Sequence, residues 1–180
     1  GLFQPISREG GLVINNLLLT VATASILLGT LYPLFIDVLN LGKVSVGAPY
    51  FESVFVPMMI PMIIVMGFAP FLKWKRSKLK TVLEKLKFTG FISIIGGLFV
   101  LFYIDYASVL ALLGIALSLW LFFSTLTELC IRLKIGKVTV RETLNLFIRQ
   151  PRSSWGMFLA HAGLALVIAG ITASTAWKIE

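Results

Sequence analysis

Histidine occurs once in these 180 residues, cysteine once, and acidic side chains only 8 times. The lone Cys130 excludes an intrachain disulfide and every multi-cysteine metal or redox motif. A single thiol at a helix end behaves as a small hydrophobe. The lone His161 excludes a carboxylate–histidine cluster of the di-metal kind, and this chain by itself cannot give two axial histidines to a six-coordinate haem. No spacing supports a Ser-His-Asp triad, and there is no glycine-rich phosphate loop. A net charge of +8 would suggest nucleic acid in a soluble domain, but the basic residues here flank apolar runs with no aromatic stacking platform among them. Nucleic acid is therefore not an expected partner, and the charge reads as a topology signal.

What is present is hydrophobic length. The chain is 58% hydrophobic with mean hydropathy +0.95, and its charges cluster so that apolar runs of membrane-spanning length separate them. The expected fold class is an all-α integral membrane protein with about five transmembrane helices in one transmembrane region (1–180), at roughly 12–35, 54–72, 88–103, 107–131 and 155–177. The third of these is short. The first is too long for a secretory signal and follows Arg8-Glu9, so it is read as a span. Since the chain opens on Gly1 rather than Met, it is expected to be part of a longer protein or one product of a split gene.

Two connections are strongly basic: residues 73–87 carry 7 Lys or Arg against one Glu, and 132–154 carry 6 against one. The other connections, 36–53 and 104–106, hold one Lys and three acids in all. The positive-inside rule makes the basic loops cytoplasmic, the N-terminus cytoplasmic, 36–53 outside and the C-terminus extracytoplasmic. Trp155 and Trp177 bracket the last span as interfacial aromatics do. Within 73–87, "KLKTVLEKLK" is either a solvated orienting loop or a short amphipathic helix on the inner leaflet, and 136–151 contains a small helix ending before Pro151. Pro57, Pro61 and Pro70 mark the second span as a kinked packing helix.

Ionisable residues inside the spans are reduced to Glu128, near the inner end of the fourth, and His161 in "WGMFLAHAGLALVIAG". Such groups are costly in hydrocarbon and face the bundle interior with a partner or ligand. His161 lies six residues beyond Trp155, about 9 Å along a helix, too deep to snorkel. An imidazole there bonds to a neighbouring helix, relays protons, or ligates a metal or haem iron. Two stripes of small residues share its helix: Gly156, Ala160, Gly163 and Gly170, and Ala162, Ala165, Ala169, Ala173 and Ala176. They suit either close helix packing or a flat macrocycle, and periodicity does not separate the two.

Four blocks, "PISREGGLVINNLLLTVATASILLGTLYPL" (5–34), "GKVSVGAPYF" (42–51), a proline-rich span ending "WKR" (74–76) and "SSWGMFLAHAGLALVIAGITASTAW" (153–177), together closely resemble the CcmF family. These are the large membrane subunits of the cytochrome c maturation haem lyase. The resemblance runs over essentially all 180 residues and corresponds to a central-to-C-terminal part of the family. It implies a multi-pass protein of the bacterial or mitochondrial inner membrane that takes haem, its substrate, from the haem chaperone CcmE. With CcmH- and CcmI-type subunits, such proteins attach haem through thioether bonds to CxxCH of apocytochrome c. The resemblance also implies a resident b-type haem (haem b) that reduces the incoming iron, with quinol as a candidate electron source. The histidine of the family's "GMxxAHxG" helix is one of its two axial ligands, and that position is His161, so that the metal ligand and cofactor-binding residue expected here is His161. The tryptophan-rich segment that holds substrate haem has no counterpart, since Trp74, Trp120, Trp155 and Trp177 are dispersed. The chain alone is expected to be an inactive piece of the lyase. Two other readings remain open at this point: a transporter or channel segment with His161 as proton relay, and a structural membrane scaffold.

Overall fold

The computed structural model describes residues 4–103 and 109–176. Among them the regular elements are helical: α1 (Arg8–Val38), α2 (Ala48–Phe68) continued by a 3-10 turn (Ala69–Phe71), α3 (Leu79–Tyr103), α4 (Val109–Arg132), α5 (Val140–Ile148) and α6 (Arg152–Ala176). A helix satisfies its own backbone polar groups, which is what hydrocarbon demands of a spanning segment. Four of these helices, α1, α2 with its 3-10 turn, α4 and α6, are long and apolar enough to cross a bilayer. The protein is therefore the all-α, multi-pass membrane protein that its composition implies. The expected outer connection at 104–106 and the interfacial Trp177 lie outside the described residues.

The third long helix differs from its expected form. Residues 79–87 are neither a solvated loop nor a separate surface helix, because α3 begins at Leu79 and runs on without a break for 25 residues. Val82 and Leu86 are buried against Phe71 with Trp120 beside them, while Leu79 and Leu83 stay exposed. Burying two apolar side chains one turn apart extends the helix toward its basic end, and Glu84 and Lys85 between them stay exposed. Further along, α3 lies antiparallel to α4: the Thr89 and Thr127 hydroxyls are 3.1 Å apart, and Gly97 sits over Ala116.

The start of α1 is tied to the connection that follows α2. Ser7, fully buried, caps α1 by accepting from the Gly10 amide at 3.0 Å. The amides of Gln4 and Arg8 donate to the carbonyls of Lys75 and Lys73, and the Ser77 amide donates to that of Ile6. Glu9 accepts the Lys75 amide at 2.8 Å, and the Arg8 guanidinium lies 5.1 Å from the centre of the Trp74 ring. The "SREG" and "WKR" blocks thus form one interlocked cap on the basic end. At the opposite end, the Tyr50 hydroxyl donates to the Ser25 carbonyl at 3.1 Å. A methyl group on Gly29 would lie 3.0 Å from Cδ1 of Tyr50, so this glycine makes room for the tyrosine ring. Within "SVGAPYF", Tyr50 therefore packs α2 onto α1.

α4 and α6 form the spine of the molecule. Thr172 rests over Gly114, the Ser118 hydroxyl donates to the Ala165 carbonyl at 2.7 Å, and Arg132 donates to the Ser154 hydroxyl. These pairs fix an antiparallel register over the full length. Ile63 of α2 joins Leu121 and Ala165 in a buried layer where α2, α4 and α6 meet. The amphipathic α5 is seated on the start of α6 through Phe147, whose ring is 4.7 Å from that of Trp155.

Candidate functional site

His161 and Ala165 are four positions apart, so the two share one face of α6, and that face is turned toward α4 and α2. The imidazole is half-buried. Its Nδ1 is fully enclosed and has no hydrogen-bond partner among the described residues. An enclosed polar nitrogen left unpaired costs about 1–3 kcal/mol. A native fold normally recovers that cost with a ligand, a water or a neighbouring polar group.

One side of the ring borders a cleft of about 220 Å³ between the first turns of α1, the end of α2 and the first turns of α6. Arg8, Asn15, Met66, Pro70 and Met157 line it together with His161. Its mouth therefore carries a cation, its wall carries an imidazole, and most of the remainder is apolar. Small-molecule sites are generally built this way, with a few convergent polar groups on an apolar wall.

Neither Glu128 nor Cys130 lines this cleft, although the Glu128 carboxylate is near enough for its charge to act on the imidazole. Glu128 is buried, but its carboxylate is held by Arg132 one turn later, and Arg132 continues to Ser154 on α6. That chain of bonds pins α4 to α6 and occupies the Glu128 carboxylate. Cys130 borders a separate surface depression beside Lys134 and Lys137. Among the described residues no three His, Cys, Asp or Glu side chains gather as a metal site. The glycine stripe also separates from His161. Helical spacing places Gly156, Gly163 and Gly170 on the face opposite Ala165 and Thr172, and a methyl group on any of them meets no atom within 4 Å. Those glycines cannot be the bare surface around a ligand of His161. Of the two stripes, it is the alanines, with Ala165 fully buried, that flank the imidazole.

Sequence alone marks Arg8 as a flanking charge and Ser124 as a helix-to-helix hydrogen-bonding serine, neither as a site residue. Arg8 looks like a flanking charge until α1 brings it to the same cleft as a residue 153 positions away. Ser124 is fully buried with its hydroxyl unpaired. In the sequence it is one more membrane serine.

No family model matches the chain. It is 40% identical over 180 residues to the cytochrome c-type biogenesis protein CycK of Rhizobium meliloti, covering 100% of this chain and 27% of that protein. To the cytochrome c-type biogenesis protein CcmF of Escherichia coli K12 it is 34% identical over 176 residues, 97% of this chain and 25% of the relative. A solved structure described as cytochrome c haem lyase CcmF superposes with a TM-score of 0.70 over 98% of this chain and 26% of that one, and at 23% identity it bears on the fold alone. The chain thus spans about a quarter of the length of the curated relatives it matches. Similar to these relatives over its whole length and folded like one of them, the chain belongs to the CcmF/CycK family of cytochrome c-type biogenesis proteins.

Proposed function

We propose that this segment forms one wall of a b-type haem site in an inner-membrane cytochrome c maturation protein, with His161 as an axial ligand of the iron. The observation that carries the reading is the half-buried imidazole beside a cleft, its Nδ1 enclosed and unpaired. With Nδ1 directed into the packed helices, Nε2 is the nitrogen left for a metal. The residues present fit half of such a site. They offer one imidazole, the Arg8 guanidinium for a propionate carboxylate, and an apolar lining from Met66, Pro70 and Met157. At about 220 Å³ the cleft is smaller than the ~300 Å³ at which drug-sized pockets begin, so a macrocycle would fill it only by extending beyond this segment. Were the iron held by two imidazoles, the second would come from outside these residues, which contain a single histidine.

When bound, the haem supplies one-electron exchange between its ferric and ferrous states. Thioether formation needs ferrous haem next to the cysteine thiols, so an electron-delivering centre beneath the reacting face suits the chemistry. His161 would set the iron's ligand field and potential, Arg8 would neutralise a carboxylate at the basic end, and the α2–α4–α6 packing encloses Nδ1. In the whole protein we place this site in a haem lyase that receives haem from CcmE, acts with CcmH- and CcmI-type subunits on CxxCH of apocytochrome c, and draws electrons from quinol. The test is the Soret band of the purified full-length protein. His161→Ala and His161→Gly should lose the b-type band, and added imidazole should restore part of it in the glycine variant. A full haem complement in both variants would overturn the assignment.

A further inference from the structure

Membrane serines and threonines usually return their hydroxyl to a carbonyl of their own helix, and this chain does so repeatedly: Thr20, Thr23, Ser25, Ser93, Thr125 and Thr172 all donate to the residue four positions earlier. Ser118 instead reaches across to α6. Ser124 does neither. It is fully buried, its hydroxyl has no partner, and the only other enclosed side-chain atom without one among the described residues is Nδ1 of His161.

These two orphans belong to one layer. The buried layer of Ile63, Leu121 and Ala165 marks the junction of α2, α4 and α6. One turn toward the basic end, the same faces present Met66, Ser124 and His161, three residues after Ile63, three after Leu121 and four before Ala165. The antiparallel register agrees, since Ser118 meets Ala165 and Arg132 meets Ser154, which puts the turn of α4 at 122–125 opposite His161. Thr125, the other hydroxyl at that level, is already bonded to the Leu121 carbonyl.

We infer that Ser124 is the positioning residue for His161: through one bridging buried water its hydroxyl takes up the hydrogen bond that Nδ1–H donates, fixing the tautomer that turns Nε2 to the cleft. The inference rests on the proposal that His161 ligates haem iron. A ligating histidine characteristically donates its second N–H to such a partner, which orients the ring and makes the imidazole a stronger donor to the metal. A stronger donor favours the ferric state, so Ser124 lowers the potential of the haem. Enclosed as it is, the Ser124 hydroxyl touches neither cleft nor solvent and acts only through the histidine.

The experiment uses the full-length protein with its resident haem, comparing wild type with Ser124→Ala, Ser124→Thr and Ser124→Cys by equilibrium redox titration of the b-type band. Ser124→Ala should keep the band, shift its midpoint to higher potential, and lose haem about 10-fold or more readily on dilution. Ser124→Thr, which keeps the hydroxyl, should return the midpoint toward wild type, and Ser124→Cys, a weaker acceptor, should shift it in the alanine direction by less. If alanine is not tolerated, the threonine–cysteine pair carries the comparison. A wild-type midpoint in Ser124→Ala, or in Ser124→Cys where that variant stands in for it, overturns the role of Ser124 and leaves ligation by His161 standing. Full haem in His161→Gly overturns ligation, and this inference with it.

Discussion

A methyl group added at Gly67 would lie 2.6 Å from Cε2 of Trp120, deep inside van der Waals contact with the indole. That indole donates its N–H to the Ile64 carbonyl at 3.2 Å, lies tilted against the Phe68 ring with centroids 4.9 Å apart, and covers the buried trio of Phe71, Val82 and Leu86. Gly67→Ala therefore forces Trp120 out of a position that joins α2, α3 and α4. Overpacking costs about 1–3 kcal/mol. The lost indole bond costs about 1 kcal/mol more, and the better helix propensity of alanine returns about 1 kcal/mol. The net destabilisation is about 1–3 kcal/mol, read by SDS-titration unfolding of the purified full-length protein. The mechanism is separable from a generic mutational cost by a double-mutant cycle. Trp120→Phe is smaller and has no N–H, so Gly67→Ala made in that background should cost at least about 1 kcal/mol less than in wild type. Strict additivity of the two substitutions would refute the argument, because it would mean that Gly67 and Trp120 do not share the space the structure gives them.

Three further outcomes follow from the same geometry. Ser118→Ala removes an interhelical bond to the Ala165 carbonyl and should destabilise by about 0.6 kcal/mol, with ~1.7 kcal/mol as the upper end for bonds of this kind, in the same unfolding assay. Glu128→Gln weakens the tie to Arg132 and lowers stability, yet the Soret intensity of the folded fraction should match wild type, since Glu128 does not line the cleft and its carboxylate is held by Arg132. Arg8→Ala should reduce haem retained through purification several-fold while Arg8→Lys, which keeps the charge, retains most of it; equal retention in all three would remove Arg8 from the site.

The spans were legible because hydrocarbon thickness and backbone hydrogen bonding leave little freedom: a run of about 20 apolar residues between charge clusters has few other uses. The start of α3 was not. "KLKTVLEKLK" looks the same to a periodicity argument whether it lies on a leaflet or continues a span, and only the burial of Val82 and Leu86 against Phe71 separates the two. His161 stood out as a rare and costly residue type. Which small residues surround it did not follow from spacing alone, because both stripes have helical period and only the packing of Ala165 on α4 shows which face is inward. Arg8 and Ser124 were out of reach for a related reason. A membrane serine is ordinary until its hydroxyl is seen to have no carbonyl to return to.

The central claim, that His161 is bound to iron, is tested most directly by changing the ligand and reading the metal. In the full-length protein, His161→Met should convert the haem's near-infrared charge-transfer band, measured by magnetic circular dichroism of the ferric form, from a bis-imidazole to an imidazole–thioether position, with a rise in midpoint potential. A bis-imidazole spectrum unchanged by that substitution would show that the iron is held elsewhere and that His161 serves the helix packing alone.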